Sequence, residues 1–113
     1  MENCIFCKIV RGELSATKKF ENERFLAFLT IDPKGPEHTL LIPKEHYQWF
    51  IDMPDELSDE LFRIAKRLAK QLKEETRSDY VRLGIVGKDV PHAHVHLVPQ
   101  SLNTGEGAVD KEL

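Results

Sequence analysis

The sequence predicts an α+β domain in which one long helix packs against an antiparallel sheet of about five strands. Apolar residues recur at helical spacing over one central stretch, from Asp55 to Arg77. Short apolar segments bounded by Gly, Pro, Asn or Asp flank this stretch on both sides, which is the pattern of strands and turns. Several strands around a single helix favour an antiparallel sheet over alternating strand–helix units.

Length and charge limit the classes of function. The chain has 113 residues, so we expect one domain over 1–113, with a flexible polar tail over about 103–113. A formal net charge of −3 does not favour a nucleic-acid partner. The apolar runs are too short to cross a bilayer, so no membrane partner is expected. Cys4 and Cys7 lie where a signal peptide needs a long apolar stretch, which favours a cytoplasmic location.

The first part of the chain is predicted to form a short helix followed by three strands. The helix covers Cys4 to Val10 and ends near Gly12, since glycine readily caps a helix C-terminus. Turn-forming residues around Asn22 and the two prolines after Asp32 separate the strands. The predicted strands are Thr17–Phe20, Arg24–Ile31 and His38–Pro43.

The long helix carries an apolar stripe opposite a charged face. Its lysines and arginines lie off the stripe and indicate a solvated surface rather than a ligand site. Asp55 or Ser58 is expected to cap its N-terminus. Two more strands follow, Tyr80–Val86 and His94–Gln100, joined through the turn Gly87-Lys88-Asp89. The stripe comprises Leu57, Leu61, Ile64, Ala65, Leu68 and Leu72.

Cys4 and Cys7 are the only two cysteines. In a cytosolic protein such a Cys-x-x-Cys pair is usually a thiol or metal site rather than a structural disulfide. A redox pair is disfavoured because the expected βαβ context is missing. Two histidines would complete a tetrahedral Cys₂His₂ set for zinc. Two free thiols on a helix are the alternative.

Three of the five histidines, His92, His94 and His96, lie within five residues. Alternate side chains of a strand share a face, so the imidazoles would form a row that is unfavourable to bury without partners. The row is then an exposed polar face, a zinc site, or a nucleophile flanked by helpers. Neutral imidazole can attack phosphorus near pH 7 while its neighbours bind phosphate oxygens and protonate the leaving group. This chemistry favours the nucleophile.

The segment HAHVHLV resembles the His-x-His-x-His-x-x signature of the histidine triad (HIT) superfamily. The segments CIFCKIVRGE, AFLTIDP, HTLLIPKEH and VPHAHVHLVP occur in the order that the family uses, from Cys4 to Pro99. The closest resemblance is to its small nucleoside-phosphoramidase branch. It implies a HIT-like fold, which is an α+β fold with a five-stranded antiparallel sheet, one long helix and a short N-terminal helix.

The resemblance also implies the reaction and its residues. His94 is the nucleophile, and His96 and His38 assist at the phosphate. The reaction is cleavage at the α-phosphate of a nucleoside phosphoramidate or related nucleotide through a nucleotidyl-histidine intermediate. A dinucleoside polyphosphate hydrolase would share this nucleophile and differ in leaving group. A nucleotide-binding or interaction protein with little turnover is the alternative outside enzymes.

In family members with both cysteines, the resemblance implies one structural zinc per chain, held by Cys4, Cys7, His46 and His92. It further implies a homodimer paired through the helix and a sheet edge. The apolar cluster Tyr47-Trp49-Phe50 is expected either to help cover such an interface or to pack in the core beneath its loop.

By position, the resemblance implies a nucleotide site that departs from the family pattern at two places. Thr30 stands where the family has a ribose-binding aspartate, and a hydroxyl cannot replace a bidentate carboxylate. Asp89 stands where a phosphate-contacting hydroxyl is expected, and its carboxylate would repel a phosphate unless Lys88 offsets it. The implied apolar wall around the base comprises Phe6, Ile9, Phe28 and Ile31.

Overall fold

The computed structural model describes residues 3–102, and it confirms the α+β fold with two helices and five strands in that range. The tail expected over 103–113 lies outside the described residues. The strands form one antiparallel sheet in the order β1-β2-β3-β5-β4. The elements are α1 (Ile5–Val10), β1 (Lys18–Glu21), β2 (Phe25–Leu29), β3 (Thr39–Pro43), α2 (Asp55–Thr76), β4 (Tyr80–Ile85) and β5 (Val95–Gln100), with a 3-10 turn at Phe50–Asp52.

The sheet is covered on both faces, because its central strands are apolar and buried at successive positions and successive side chains point to opposite faces. On one face, Ala27, Leu41 and Leu97 pack against the apolar stripe of α2. On the other face, Leu26 and Ile42 pack against residues of α1. The short N-terminal helix therefore covers part of the face that α2 leaves open.

The N-terminal cap of α2 differs from the expectation. Asp55 and Ser58 do not cap the helix, because the N-cap residue is Pro54, whose carbonyl accepts from the N–H groups of Leu57 and Ser58. The Ser58 hydroxyl instead donates to the Asp55 carbonyl. Proline holds the chain extended just before the helix, and the first-turn carboxylates of Asp55 and Glu56 favour the positive end of the helix dipole.

The strand boundaries also differ at the residues of greatest interest. His38 precedes β3, and His94 precedes β5. The chain is held out of the ladder near His94 because the Ala93 N–H donates to the Tyr47 carbonyl at 2.6 Å. Ala93, Val95 and Leu97 nevertheless pack on the α2 side, so the alternation predicted for this segment persists.

Tyr47 and Phe50 pack against the core on the α2 side, whereas Trp49 is 42% exposed. Core packing therefore accounts for two members of this aromatic cluster. In residues 3–102, neither helix is apolar enough over a sufficient length to cross a membrane.

Candidate active site and metal centre

A row of imidazoles lies on the sheet face opposite α2. The ring centroids of His94 and His96 are 4.8 Å apart, and those of His38 and His96 are 5.2 Å apart. His38 and His94 are buried, and His96 is half-buried. The structure thus brings together the three histidines predicted for catalysis, although they come from two distant parts of the chain.

One hydrogen bond determines which nitrogen of His94 is available for chemistry. Its Nδ1 lies 2.8 Å from the His92 carbonyl oxygen. A carbonyl only accepts, so Nδ1 carries the hydrogen, and in the neutral ring Nε2 keeps its lone pair. The Phe6 ring packs edge-on against His94 at 5.1 Å and fixes its orientation. His94 can therefore act as a nucleophile or base through Nε2.

His38 and His96 form a directed hydrogen-bond chain. The Lys34 N–H donates to His38 Nδ1 at 2.9 Å, so in the neutral ring Nε2 of His38 carries the hydrogen. That group lies 3.0 Å from His96 Nδ1 and donates to it. His96 consequently carries its hydrogen on Nε2, where it can donate to a phosphate oxygen or a leaving group.

Burial keeps these two imidazoles neutral at pH 7. It lowers the pKa of His96 from its ordinary value of 6.5 to about 4, because a charged imidazole is poorly solvated there. Burial also lowers the pKa of His38. The pair supplies hydrogen bonds to an anion but no formal positive charge.

A second cluster lies next to the row. The ligand atoms of Cys4, Cys7, His46 and His92 all lie within 4.8 Å of one another. The two cysteines and His92 are buried, and His46 is half-buried. The Cys4 side chain also caps α1 by accepting from the Cys7 N–H at 3.4 Å. These four residues form a possible metal site, as the sequence predicted.

The sulfur–nitrogen distances of this cluster are close to those around a tetrahedral metal. Nδ1 of His92 lies 3.4 Å from the Cys4 sulfur, and Nδ1 of His46 lies 3.2 Å from the Cys7 sulfur. Ligand atoms around a tetrahedral zinc are about 3.4–3.8 Å apart, given its usual bond lengths. His92 Nε2 lies 2.8 Å from the Pro43 carbonyl and donates to it, which leaves Nδ1 as the ligand atom.

Only part of the predicted base-binding wall is gathered at the row. Phe6 and Phe28 pack edge-on at 5.4 Å in the cluster beside His94, and Ile9 packs against that cluster. Ile31 is fully exposed and does not join it. The Thr30 hydroxyl accepts from the Asp32 N–H at 3.2 Å, so it is engaged in a local turn.

Lys88 and Asp89 are exposed in the segment that connects β4 to β5. The Asp89 carboxylate raises the pKa of His96, in opposition to burial. The negative charge of this carboxylate therefore acts on the His96 end of the row.

Sequence reasoning did not single out Arg82, whose charge acts on two imidazoles of the row. It lies on β4, and its positive charge lowers the pKa of both His38 and His96. A signal was present, because Arg82 interrupts the otherwise uncharged strand YVRLGI at a position that alternates with apolar residues.

Comparison with known proteins identifies a single family. The family model described as the HIT domain matches residues 11–102. The chain is 42% identical over 98 residues to an adenosine 5′-monophosphoramidase of Saccharomyces cerevisiae, a match that covers 86% of this chain and 62% of the yeast chain. In an alignment of 120 residues it is 35% identical to the protein hit of Bacillus subtilis. This match covers 97% of this chain and 80% of the Bacillus subtilis chain.

Solved structures agree with these matches. A HIT family member from Bacillus subtilis superposes with a TM-score of 0.85 at 35% identity, over 96% of this chain and 82% of that chain. A zinc-bound histidine triad family protein from Mycobacterium smegmatis superposes with a TM-score of 0.83 at 33% identity, over 96% and 81% of the two chains.

We expect acid to destabilise the wild type more steeply than a His96→Asn variant between about pH 6.5 and pH 4. The pKa of His96 is about 4 in the folded chain and 6.5 in the unfolded chain, so the unfolded chain binds the proton first in this window. The contribution of neutral His96 to the free energy of unfolding is fully present above about pH 6.5, and it is lost as the pH falls toward 4. Urea unfolding midpoints at about pH 7, 6 and 5 measure the difference, and parallel pH dependences would contradict it.

Proposed function

The chain belongs to the HIT family, and on that premise we propose that it hydrolyses a nucleotide at the α-phosphate with His94 as the nucleophile. The observation that carries the proposal is the hydrogen bond from His94 Nδ1 to the His92 carbonyl, which keeps the Nε2 lone pair available. The substrate we favour is a nucleoside phosphoramidate, since curated relatives include adenosine 5′-monophosphoramidases.

The reaction has two steps. In the first, His94 Nε2 forms a bond to phosphorus and the bond from phosphorus to the leaving nitrogen breaks. The leaving group takes the proton that His96 holds on Nε2, and the His38 N–H that donates to His96 Nδ1 stabilises the negative charge left on that ring. The positive charge that develops on His94 is stabilised by its Nδ1–H bond to the carbonyl. In the second, water attacks phosphorus, the bond to His94 breaks, one proton of the water passes to His96 Nε2 and the nucleoside monophosphate leaves.

Two other functions share parts of this site. A dinucleoside polyphosphate hydrolase would use the same nucleophile with a nucleotide leaving group. A nucleotide-binding protein with little turnover is favoured by Thr30, whose hydroxyl is engaged locally, and by the Asp89 carboxylate beside His96.

We also propose that the metal centre holds one structural zinc through Cys4, Cys7, His46 and His92. Four protein ligands leave no open position, so such a zinc would stabilise the fold rather than bind substrate. Burial raises the pKa of the Cys7 thiol to about 11 in the metal-free chain, so zinc binding would release its proton.

We further propose that two chains pair through β4 and α2. β4 is an edge strand of the sheet, and edge strands leave backbone groups available for pairing. Leu83 and Val86 at this edge and Phe62 on α2 are all more than a third exposed.

Replacing His94 with Asn should lower turnover of adenosine 5′-phosphoramidate by at least about 10³-fold, because the nucleophile is lost. Thermal unfolding should stay cooperative. AMP formation from this substrate and from diadenosine tetraphosphate distinguishes the two hydrolases, and no AMP from either would favour the binding protein. His38→Asn is the comparison variant, and an active His94→Asn beside an inactive His38→Asn would overturn the assignment.

Protein purified without chelator should contain about one zinc per chain. Cys4→Ser should lose it, whereas His38→Asn should keep it. Chelation should lower the unfolding temperature, and adding zinc back in weak buffer should release protons. Undiminished zinc in Cys4→Ser contradicts the ligand set. Loss of activity without loss of stability on chelation would favour a catalytic metal.

Light scattering at micromolar concentration should give twice the chain mass of 13.0 kDa. Leu83→Glu should shift the protein toward monomer, because it places a charge in the paired edge. Glu23→Lys, in the exposed turn between β1 and β2, is the control and should leave the mass unchanged. A monomeric wild type would remove the dimer and leave the proposed chemistry intact.

A further inference from the structure

The strand register places Arg82 on the same sheet face as the imidazole row. Arg82 pairs with Val98, and Gly84 pairs with His96. Val81 and Ile85 lie on β4 at an odd number of positions from Arg82, and they pack on the α2 side. Arg82 therefore extends from the opposite face, diagonal to His96 and within the reach of a long side chain.

His38 approaches the same point from the other side. It precedes Thr39, which pairs with Leu97, so the chain places His38 beside Val98. His96 is thus flanked by His38 on β3's side and by Arg82 on β4's side. Opposite His96, a side-chain carbon at Gly84 would meet no atom within 4 Å. The space beside His96 and next to Arg82 is open to a ligand.

The row needs a positive charge that its imidazoles do not supply. A nucleotide α-phosphate is an anion, whereas His38 and His96 are neutral at pH 7. Asp89 adds a negative charge near His96. Arg82 acts on both imidazoles and is half-buried, which strengthens its electrostatic effect.

Lys34 is the other cation whose charge acts on His38. It is exposed, and its ammonium lies 3.7 Å from the Asp32 carboxylate. Solvent weakens its effect on a phosphate. Arg82 is less exposed and lies diagonal to His96 in the strand register, so it is the better placed of the two.

We propose that Arg82 contacts the α-phosphate of the bound nucleotide and is a specificity-determining residue for phosphorylated over unphosphorylated nucleosides. This rests on the proposed function in placing a nucleotide phosphate at the imidazole row. The guanidinium donates to the non-bridging oxygens from the side of His96, and its charge stabilises the negative charge of the transition state. Arg82 thereby offsets the Asp89 carboxylate.

The first measurement is binding, which does not depend on turnover. Affinities for AMP and for adenosine are determined by calorimetry for wild type and for Arg82→Met, which keeps the apolar stem and removes the charge. We expect AMP binding to weaken by at least about tenfold while adenosine binding is unchanged. Arg67→Met, on the exposed face of α2, is the control and should change neither affinity. Equal affinities for AMP in Arg82→Met and wild type would overturn the proposal.

The second measurement is kinetic. With adenosine 5′-phosphoramidate, kcat/KM of Arg82→Met should fall by about 10²-fold, the effect of losing one charge-stabilising donor. Arg82→Lys should recover part of the loss, because it restores the charge without the bidentate fork. Two results together would indicate that Arg82 has only a structural role: Arg82→Lys does not recover kcat/KM, and the affinities for AMP and adenosine are weakened alike.

The experiments distinguish failure of the hydrolase proposal from failure of the proposed phosphate contact of Arg82. If wild type forms no AMP from any substrate but Arg82→Met still loses AMP binding selectively, the hydrolase proposal fails and the role of Arg82 stands. If Arg82→Met does not unfold cooperatively, the same binding comparison is made with Arg82→Lys and Arg82→Gln, where an unchanged AMP-to-adenosine ratio in Arg82→Gln overturns the proposal.

Discussion

The hydrogen bond between the His92 carbonyl and His94 Nδ1 is the contact on which the site depends. His92 is held by its own ring, which donates from Nε2 to the Pro43 carbonyl and directs Nδ1 at the two cysteines. Its backbone then orients the next imidazole of the row. One residue therefore joins the possible metal site to the proposed nucleophile, and a displacement of its ring would move the His94 ring with it.

The alternation along the last strand explains why so much of the site was predictable. Ala93, Val95 and Leu97 were expected to face away from the histidines, and they pack against α2. The four metal-site residues were also predicted, because the Cys-x-x-Cys pair suits a metal and the resemblance to the HIT family implied His46 and His92 as its partners. Periodicity carries the alternation locally, whereas the two histidine ligands were known only from the family pattern.

Other features depend on contacts between distant segments, which no local pattern records. The expected caps Asp55 and Ser58 are displaced by Pro54, since the backbone before the helix fixes where it begins. The strand beginning expected at His94 moves to Val95 because Ala93 bonds to Tyr47. Arg82 escaped notice because its relation to His96 arises only from the register between β4 and β5.

The possible metal site also bears on how the chain folds. Cys4 and His92 are 88 residues apart in sequence, so their meeting closes a loop that contains most of the chain. Helix α1 has only six residues, too few to persist alone in water. Its final position therefore depends on contacts with residues later in the chain, among them Leu26, Ile42 and His92. A metal held by the four residues would close this loop and tie α1 to the segment before β5.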